Sequence, residues 1–226
     1  MAKLTKAVLG RVSGRLGDIT FRQRNGSNYL ATSPSSFATP MDTASVTRRD
    51  RFAFSCKLAA NIISIPYLKL LWGAEVVDGI SAYNTIIQTN YKFVSADSIT
   101  DLTYLSPGIG FRVTTSLSEL KADGINLVVN PIGSNAEIDT VLEKSVQLAA
   151  IISLCDPIDT TVEEFAIIPL VSSEQQLVLD ASLTFSIAFS TQEAQLFQKY
   201  RVSKAMFALI TIDVNGIPVH YSSTFR

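Results

Sequence analysis

Acid–base, nucleophilic or metal chemistry in this 226-residue chain would have to be built from one histidine, two cysteines and twenty carboxylates. Their spacing is unpromising. His220 is the only histidine, and with Cys56 and Cys155 so distant in sequence it matches no familiar metal-ligand spacing. Glu163 and Glu164 are adjacent, so in an extended segment they leave on opposite faces, a poor arrangement for a general acid and base. There is no Gly-x-Ser-x-Gly and no recognisable cysteine–histidine pairing. Gly10, Gly14 and Gly17 invite comparison with phosphate-binding loops, but no Lys-Ser/Thr follows and no strand precedes them. Asn25-Gly26-Ser27 fits a glycosylation sequon, yet a tight turn accounts for the glycine better. The residues therefore point to no catalytic site, no cofactor and no metal.

What stands out instead is a basic, glycine-hinged N-terminal stretch. Arg11 and Arg15 flank the hinge, and Arg22 and Arg24 alternate with Phe21 and Gln23. Asn25-Gly26 is a strong hairpin signal, because a type I′ turn needs positive φ at both central positions, and Tyr29 lies on the return strand. Residues 1–50 hold eight Lys/Arg against three Asp, a net of +5, so the rest of the chain carries −6 within an overall charge of −1. A basic arm on an acidic body suits nucleic acid or the acidic body of a neighbouring copy; the plainer alternative is a solvated tail. Basic residues interleaved with aromatics can stack bases, whereas the same strand can pair its edge with a neighbour's sheet. One aromatic per strand is a thin stacking platform, which favours the arm.

The elements that must carry these residues can be read next. Ser33 to Pro40 is a Pro/Ser/Thr strap that should run extended. Thr43 or Ser45 can cap a helix through Arg48, Arg51, Phe52, Leu58 and Ile62, ended or kinked at Pro66. Arg48 shares the face of Phe52 and Arg51 lies beside it, so both are candidates to reach the strap. A short helical piece covers Tyr67 to Trp72, and Asp78 or Ser81 starts another through Tyr83, Ile86 and Ile87.

From about Ile99 strand-length runs take over: Asp101–Leu105, Phe111–Thr115, Ile125–Val129, Ala136–Leu154, Phe165–Leu170, Leu177–Phe189, Ser203–Val214 and Ile217–Ser222. Leu177 to Phe189 alternates strictly, the mark of a half-buried antiparallel strand, and Asn215-Gly216 predicts a second tight hairpin. The pattern predicts a mainly β, α+β chain: an antiparallel immunoglobulin-like β-sandwich over a small helical layer, preceded by an extended hairpin arm. The boundaries expected are 1–42 for the basic arm, 43–97 for the helical layer and 98–226 for the sandwich.

Apolar residues make up 47% of the chain and charged ones 17%, with a mean hydropathy of +0.26. Such oiliness fits either a well-filled core or surface buried against other copies. The longest apolar stretch, Leu58 to Trp72, is too short and interrupted to span a bilayer. The first residues lack the apolar segment of a secretory signal, so synthesis in the cytoplasm is expected, followed by membership of a released particle or extracellular assembly. Cys56 and Cys155 are expected to be buried free thiols.

Gly10-x-x-Ser13-Gly14-x-x-Gly17, the Phe21-Arg22-x-Arg24-Asn25-Gly26-x-x-Tyr29 hairpin, the Pro34/Pro40 strap, Arg48-Arg49-x-Arg51-Phe52 and Ser81-Ala82-Tyr83-Asn84 together resemble a large family of uncharacterised proteins of Bacteroidota and their mobile elements. The resemblance covers roughly residues 8–90, implies a domain layout and supplies no mechanism. At Asp18-Ile19-Thr20 this chain is more polar than that pattern. Taken together, the residues lead to the expectation of a non-enzymatic, self-assembling structural subunit of a filament, tube or virion-like particle. Its partners would be further copies and other particle subunits. Nucleic acid, gripped by Arg11, Arg15, Arg22, Arg24 and Tyr29, is the second choice.

Overall fold

A computed structural model of the chain describes residues 2–4, 14–24, 27–32, 38–76, 79–133 and 138–226. It divides into two compact units, Met1–Val46 and Thr47–Arg226.

The first unit is a four-stranded antiparallel sheet. Its strands are β1 (Ala2–Leu4), β2 (Gly14–Leu16), β3 (Ile19–Arg24) and β4 (Ser27–Thr32), in the spatial order β1-β4-β3-β2. The hairpin expected around Asn25-Gly26 is present as the β3–β4 pair, registered from Ile19↔Thr32 to Arg24↔Ser27. The type I′ turn itself, like Arg11, the glycine at position 10 and most of the strap, lies outside the described residues. The extended hairpin arm of the sequence pattern is thus a small sheet, with a further strand added on each side.

The second unit begins within α1 (Thr43–Ser64), which breaks at Ile65 and continues as α2 (Pro66–Ala74), because proline at position 66 can start a helix but not continue one. The N-cap of α1 is Asp42, whose carboxylate accepts from the Ser45 N–H at 3.0 Å, in place of Thr43 or Ser45. Ser81 caps α3 (Ala82–Asn90) by accepting from the Asn84 N–H, as expected; Asp78 lies outside the described residues.

The strands that follow form two antiparallel sheets. β5 (Thr115–Lys121), β6 (Gly124–Val129) and β10 (Leu183–Ala188) make one, in the order β10-β6-β5. The other is β12-β11-β7-β8, from β7 (Glu143–Pro157), β8 (Phe165–Val171), β11 (Tyr200–Asp213) and β12 (Pro218–Tyr221), with the short β9 (Gln175–Gln176) also paired to β7. Its spine is the β7–β11 ladder, which runs from Tyr200↔Pro157 to Asp213↔Glu143.

That spine is buried on both faces. Ala149, Ile151, Met206, Ala208, Ile210 and Ile212 pack with Phe54, Leu58, Ile62, Leu68, Trp72 and Ile86 of the helices. Leu148, Ala150, Ile152, Phe207 and Leu209 pack with Ile125, Leu127, Val129, Leu183, Phe185 and Ile187 of the smaller sheet. The result is three layers: helices, five-stranded sheet, three-stranded sheet. A strand covered on both sides has no polar face to alternate with, which is why the sequence reads Leu-Ala-Ala-Ile-Ile-Ser-Leu in β7 and Ala-Met-Phe-Ala-Leu-Ile in β11. The mainly β, α+β reading holds. The immunoglobulin-like pattern is a finer expectation that this pairing does not confirm, since the larger sheet gives one face to helices instead of solvent.

Several expected strands are redrawn. Asp101–Leu105 is irregular, its backbone held by side chains: Asn90 brackets Tyr104, Trp72 Nε1–H donates to the Leu105 carbonyl at 2.9 Å, and Thr224 Oγ1 accepts from the Leu105 N–H at 2.7 Å. Phe111–Thr115 is reduced to a single parallel bridge, Phe111↔Ser222. Of the alternating run Leu177–Phe189, only Leu183–Ala188 is strand, and residues 177–182 form an irregular link between the two sheets. At its start the Leu177 N–H donates to Lys144 of the larger sheet, and from Leu183 the chain pairs with β6 of the smaller. One alternation serves both because both sheets face the same core. The second hairpin is present, but Asn215 is not in the left-handed region; Gly216 alone is, at φ 78°. With Gly216 N–H on the Asp213 carbonyl and Asp213 N–H on that of Ile217, the connection is a three-residue loop closed by a glycine bulge. Both cysteines are free, with Cys155 buried and Cys56 only partly so.

Candidate assembly surfaces

The register of the first unit sorts its side chains. Leu16 lies opposite Ile19, and Phe21 opposite Leu30, so these four share one face of the sheet. Arg15 opposite Thr20, and Arg22 opposite Tyr29, share the other. One side of the sheet therefore carries an apolar patch, bordered by Gln23, Asn28 and Thr32, and the other carries the basic residues. Within residues 14–23, 27–32 and 38–46 none is buried, and Leu16 and Ile19 are 72% and 41% exposed. A four-stranded sheet with an apolar face normally gains its stability by covering that face.

The expected site residues fall as follows. Arg15 on β2 is exposed, its Nε–H donating to the Gly17 carbonyl at 2.8 Å with Asp18 about it at 4.0 Å. Arg22 is exposed, while Phe21 and Tyr29 are half-buried. Arg24 closes β3. Arg48 and Arg51 are on α1. The Arg51 guanidinium lies 5.9 Å from the centroid of the Tyr91 ring, a cation–π contact inside the second unit. The structure thus gathers Arg15, Arg22 and Tyr29 on one face of the first unit's sheet, while Arg51 belongs to the second unit.

One polar cluster escaped the sequence reading. Glu143, at the start of β7, is fully buried, and its carboxylate accepts from the Asp139 N–H at 2.8 Å and from the Thr211 hydroxyl. His220 Nδ1 sits 3.0 Å from the same carboxylate, with the ring half exposed on β12. The partners are 68 and 77 residues away in sequence, so no spacing rule could have joined them. The arrangement orients an imidazole, and the Thr211 hydroxyl is committed to the carboxylate.

Beside this cluster the β11–β12 hairpin is held rigidly. The Asp213 carboxylate accepts from the N–H groups of Asn215 and Ile217, each at 2.8 Å, and from the Asn215 side chain at 3.1 Å. These donors, Ile217 N–H first, hold its pKa below the ordinary aspartate value. Elsewhere Lys57, 5.0 Å from the Phe165 ring centroid, pairs with Glu163 and lowers that carboxyl's pKa. A cleft of about 130 Å³ lies between Asp101–Tyr104, Gly108–Ile109 and Ser223–Arg226. It is small beside ligand pockets of roughly 300–1,000 Å³, and its one cation, Arg226, is spent on the Thr100 and Thr103 carbonyls.

Among the described residues no group of three His, Cys, Asp or Glu is placed to hold a metal ion. No single helix there is long and apolar enough to cross a membrane; α1 and α2 reach that threshold only together, bent by 107°. Compared with known proteins, the sequence matches no family model and no curated relative.

Proposed function

We propose that the protein is a non-enzymatic structural subunit that assembles with further copies of itself through its N-terminal unit, building a filament, tube or virion-like particle. The observation that carries this is the apolar patch of Leu16, Ile19, Phe21 and Leu30, in which Leu16 and Ile19 stand 72% and 41% exposed. Exposed apolar surface on a paired sheet is costly in water, at about 25 cal/mol per Å², and is relieved by docking on another surface. The charge division supports the same partner: Met1–Val46 carries six basic residues against two acidic, and Thr47–Arg226 thirteen against eighteen. Like-charged copies repel, but an arm of +4 meeting a body of −5 attracts.

The test is electron microscopy and size-exclusion chromatography of the whole chain beside a version lacking residues 1–42. Regular polymers from the whole chain and a folded, dispersed protein from the truncated one are expected; assembly unchanged by the truncation would sink the proposal. A second reading is favoured by one observation, the basic face that sets Arg15 and Arg22 beside Tyr29. If that face grips nucleic acid, affinity will fall steeply between 50 and 200 mM salt, whereas flat binding or none would remove it.

A further inference from the structure

The acidic unit presents one apolar knob of its own. Val141, Leu142, Val214 and Ile217 are each between 56% and 74% exposed, and they sit together at one end of the five-stranded sheet. Backbone bonds fix their proximity: the Val214 N–H donates to the Leu142 carbonyl at 3.2 Å, the Asp213 N–H to that of Ile217 at 2.9 Å, and Asp213 pairs with Glu143. Both loops are held from within, the hairpin by Asp213 and the preceding turn by Asp139, whose carboxylate accepts from the Val141 N–H at 2.8 Å. An apolar surface on a rigid support loses little conformational freedom when it docks. Charged groups on the same loops and strand ends include Asp139, Asp213 and buried Glu143, with Lys144, whose ammonium is engaged with the Thr140 carbonyl, and His220, whose ring meets Glu143.

We infer that this knob is the seat on a neighbouring copy for the apolar face of the N-terminal sheet. The inference rests on the assembly reading above and names the surface that receives the arm. Two identical knobs would bring like charges together, whereas the arm offers exposed Leu16 and Ile19 beside half-buried Phe21 and Leu30, in a unit of opposite net charge. The seat lies beside the half-exposed ring of His220, which Glu143 holds in one orientation.

The experiment uses the full chain, with a benzophenone amino acid in place of Ile217 and a mixture of isotopically light and heavy protein. Irradiation is expected to give adducts between residue 217 of one copy and residues 14–32 of another. In parallel, V214D/I217D is expected to need at least about tenfold more protein to assemble, with an unchanged urea midpoint, because both side chains are solvent-exposed. Adducts that map elsewhere or stay within one copy overturn the seat, as does a double variant that assembles like the parent. If I19D disperses the protein while V214D/I217D does not, the arm reading stands and the seat falls. A parent chain that stays monomeric at every concentration overturns both.

Discussion

Ile151 and Ile152 are neighbours on β7, both with no exposed surface, yet they face different cores. Ile151 points to the helices and Ile152 to the smaller sheet. Truncating either to alanine removes three carbons, worth about 2.4 kcal/mol at about 0.8 kcal/mol each. The cavity left behind raises this to about 3–4 kcal/mol, within the usual 2–5 for such changes. At about 2–4 °C per kcal/mol for a unit of this size, each variant should melt about 6–16 °C lower. The assay is urea unfolding followed by the fluorescence of Trp72, the only tryptophan, which is buried among the helices and so reports on the second unit alone. Thr184→Ala, on the exposed face of β10, is the control and should stay within about 0.5 kcal/mol. If one isoleucine costs its full amount and the other less than about 1 kcal/mol at constant m-value, the sheet is covered on one face only and the three-layer account fails.

Other perturbations test other contacts. A Cβ on Gly110 would lie 1.8 Å from the Tyr221 carbonyl oxygen, so Gly110→Ala should destabilise by at least about 2 kcal/mol, whereas Gly73→Ala, in α2 with open space around it, should stabilise by about 0.5–1 kcal/mol; thermal melts of the pair decide. Glu143→Ala strands the Asp139 N–H and the Thr211 hydroxyl and should cost about 3 kcal/mol, while Glu143→Gln, which keeps an acceptor, should cost less in the same denaturation assay. Lys57 depresses the Glu163 pKa, so the contribution of this pair is complete above the unfolded value of about 4.3 and is lost as pH falls through the lower folded value. Because both groups are largely solvated, the difference between parent and Glu163→Gln at pH 7 should be only a few tenths of a kcal/mol, and it should vanish in melts taken well below pH 4.

Local chemistry was enough to place much of this fold. Pro66 had to interrupt a helix, Ser81 had a free hydroxyl one turn before an apolar stripe, and the alternation around Leu183–Ala188 had to put Phe185 and Ile187 on one side. The basic arm was visible too, since charge and the Asn-Gly signal both act over a few residues. Several elements were missed, among them the short β1, β2 and β9 as well as α4 (Thr191–Phe197) and β5. Ser190-Thr-Gln-Glu193 is a capping box and starts α4, a signal that was there to be used. β5 has no buried side chain, and a strand without a core-facing residue leaves no hydrophobic period to detect.

Other features existed only once the chain had folded. An apolar run such as β7 says that both faces are covered but not by what; helices on one side and a second sheet on the other were settled by packing. The crossing of Leu177–Phe189 from one sheet to the other preserves one inward face, so the sequence pattern is identical whether or not the strand breaks. Glu143, Thr211 and His220 meet through the β7–β11–β12 pairing, and Val141, Leu142, Val214 and Ile217 become one surface by the same ladder. Sequence alone determined the three larger helices, the basic hairpin and the long central strands, because those preferences depend on neighbours a few residues apart. Which distant side chains share a core, a polar cluster or a docking surface was decided by strand register, a long-range property that only the tertiary structure sets.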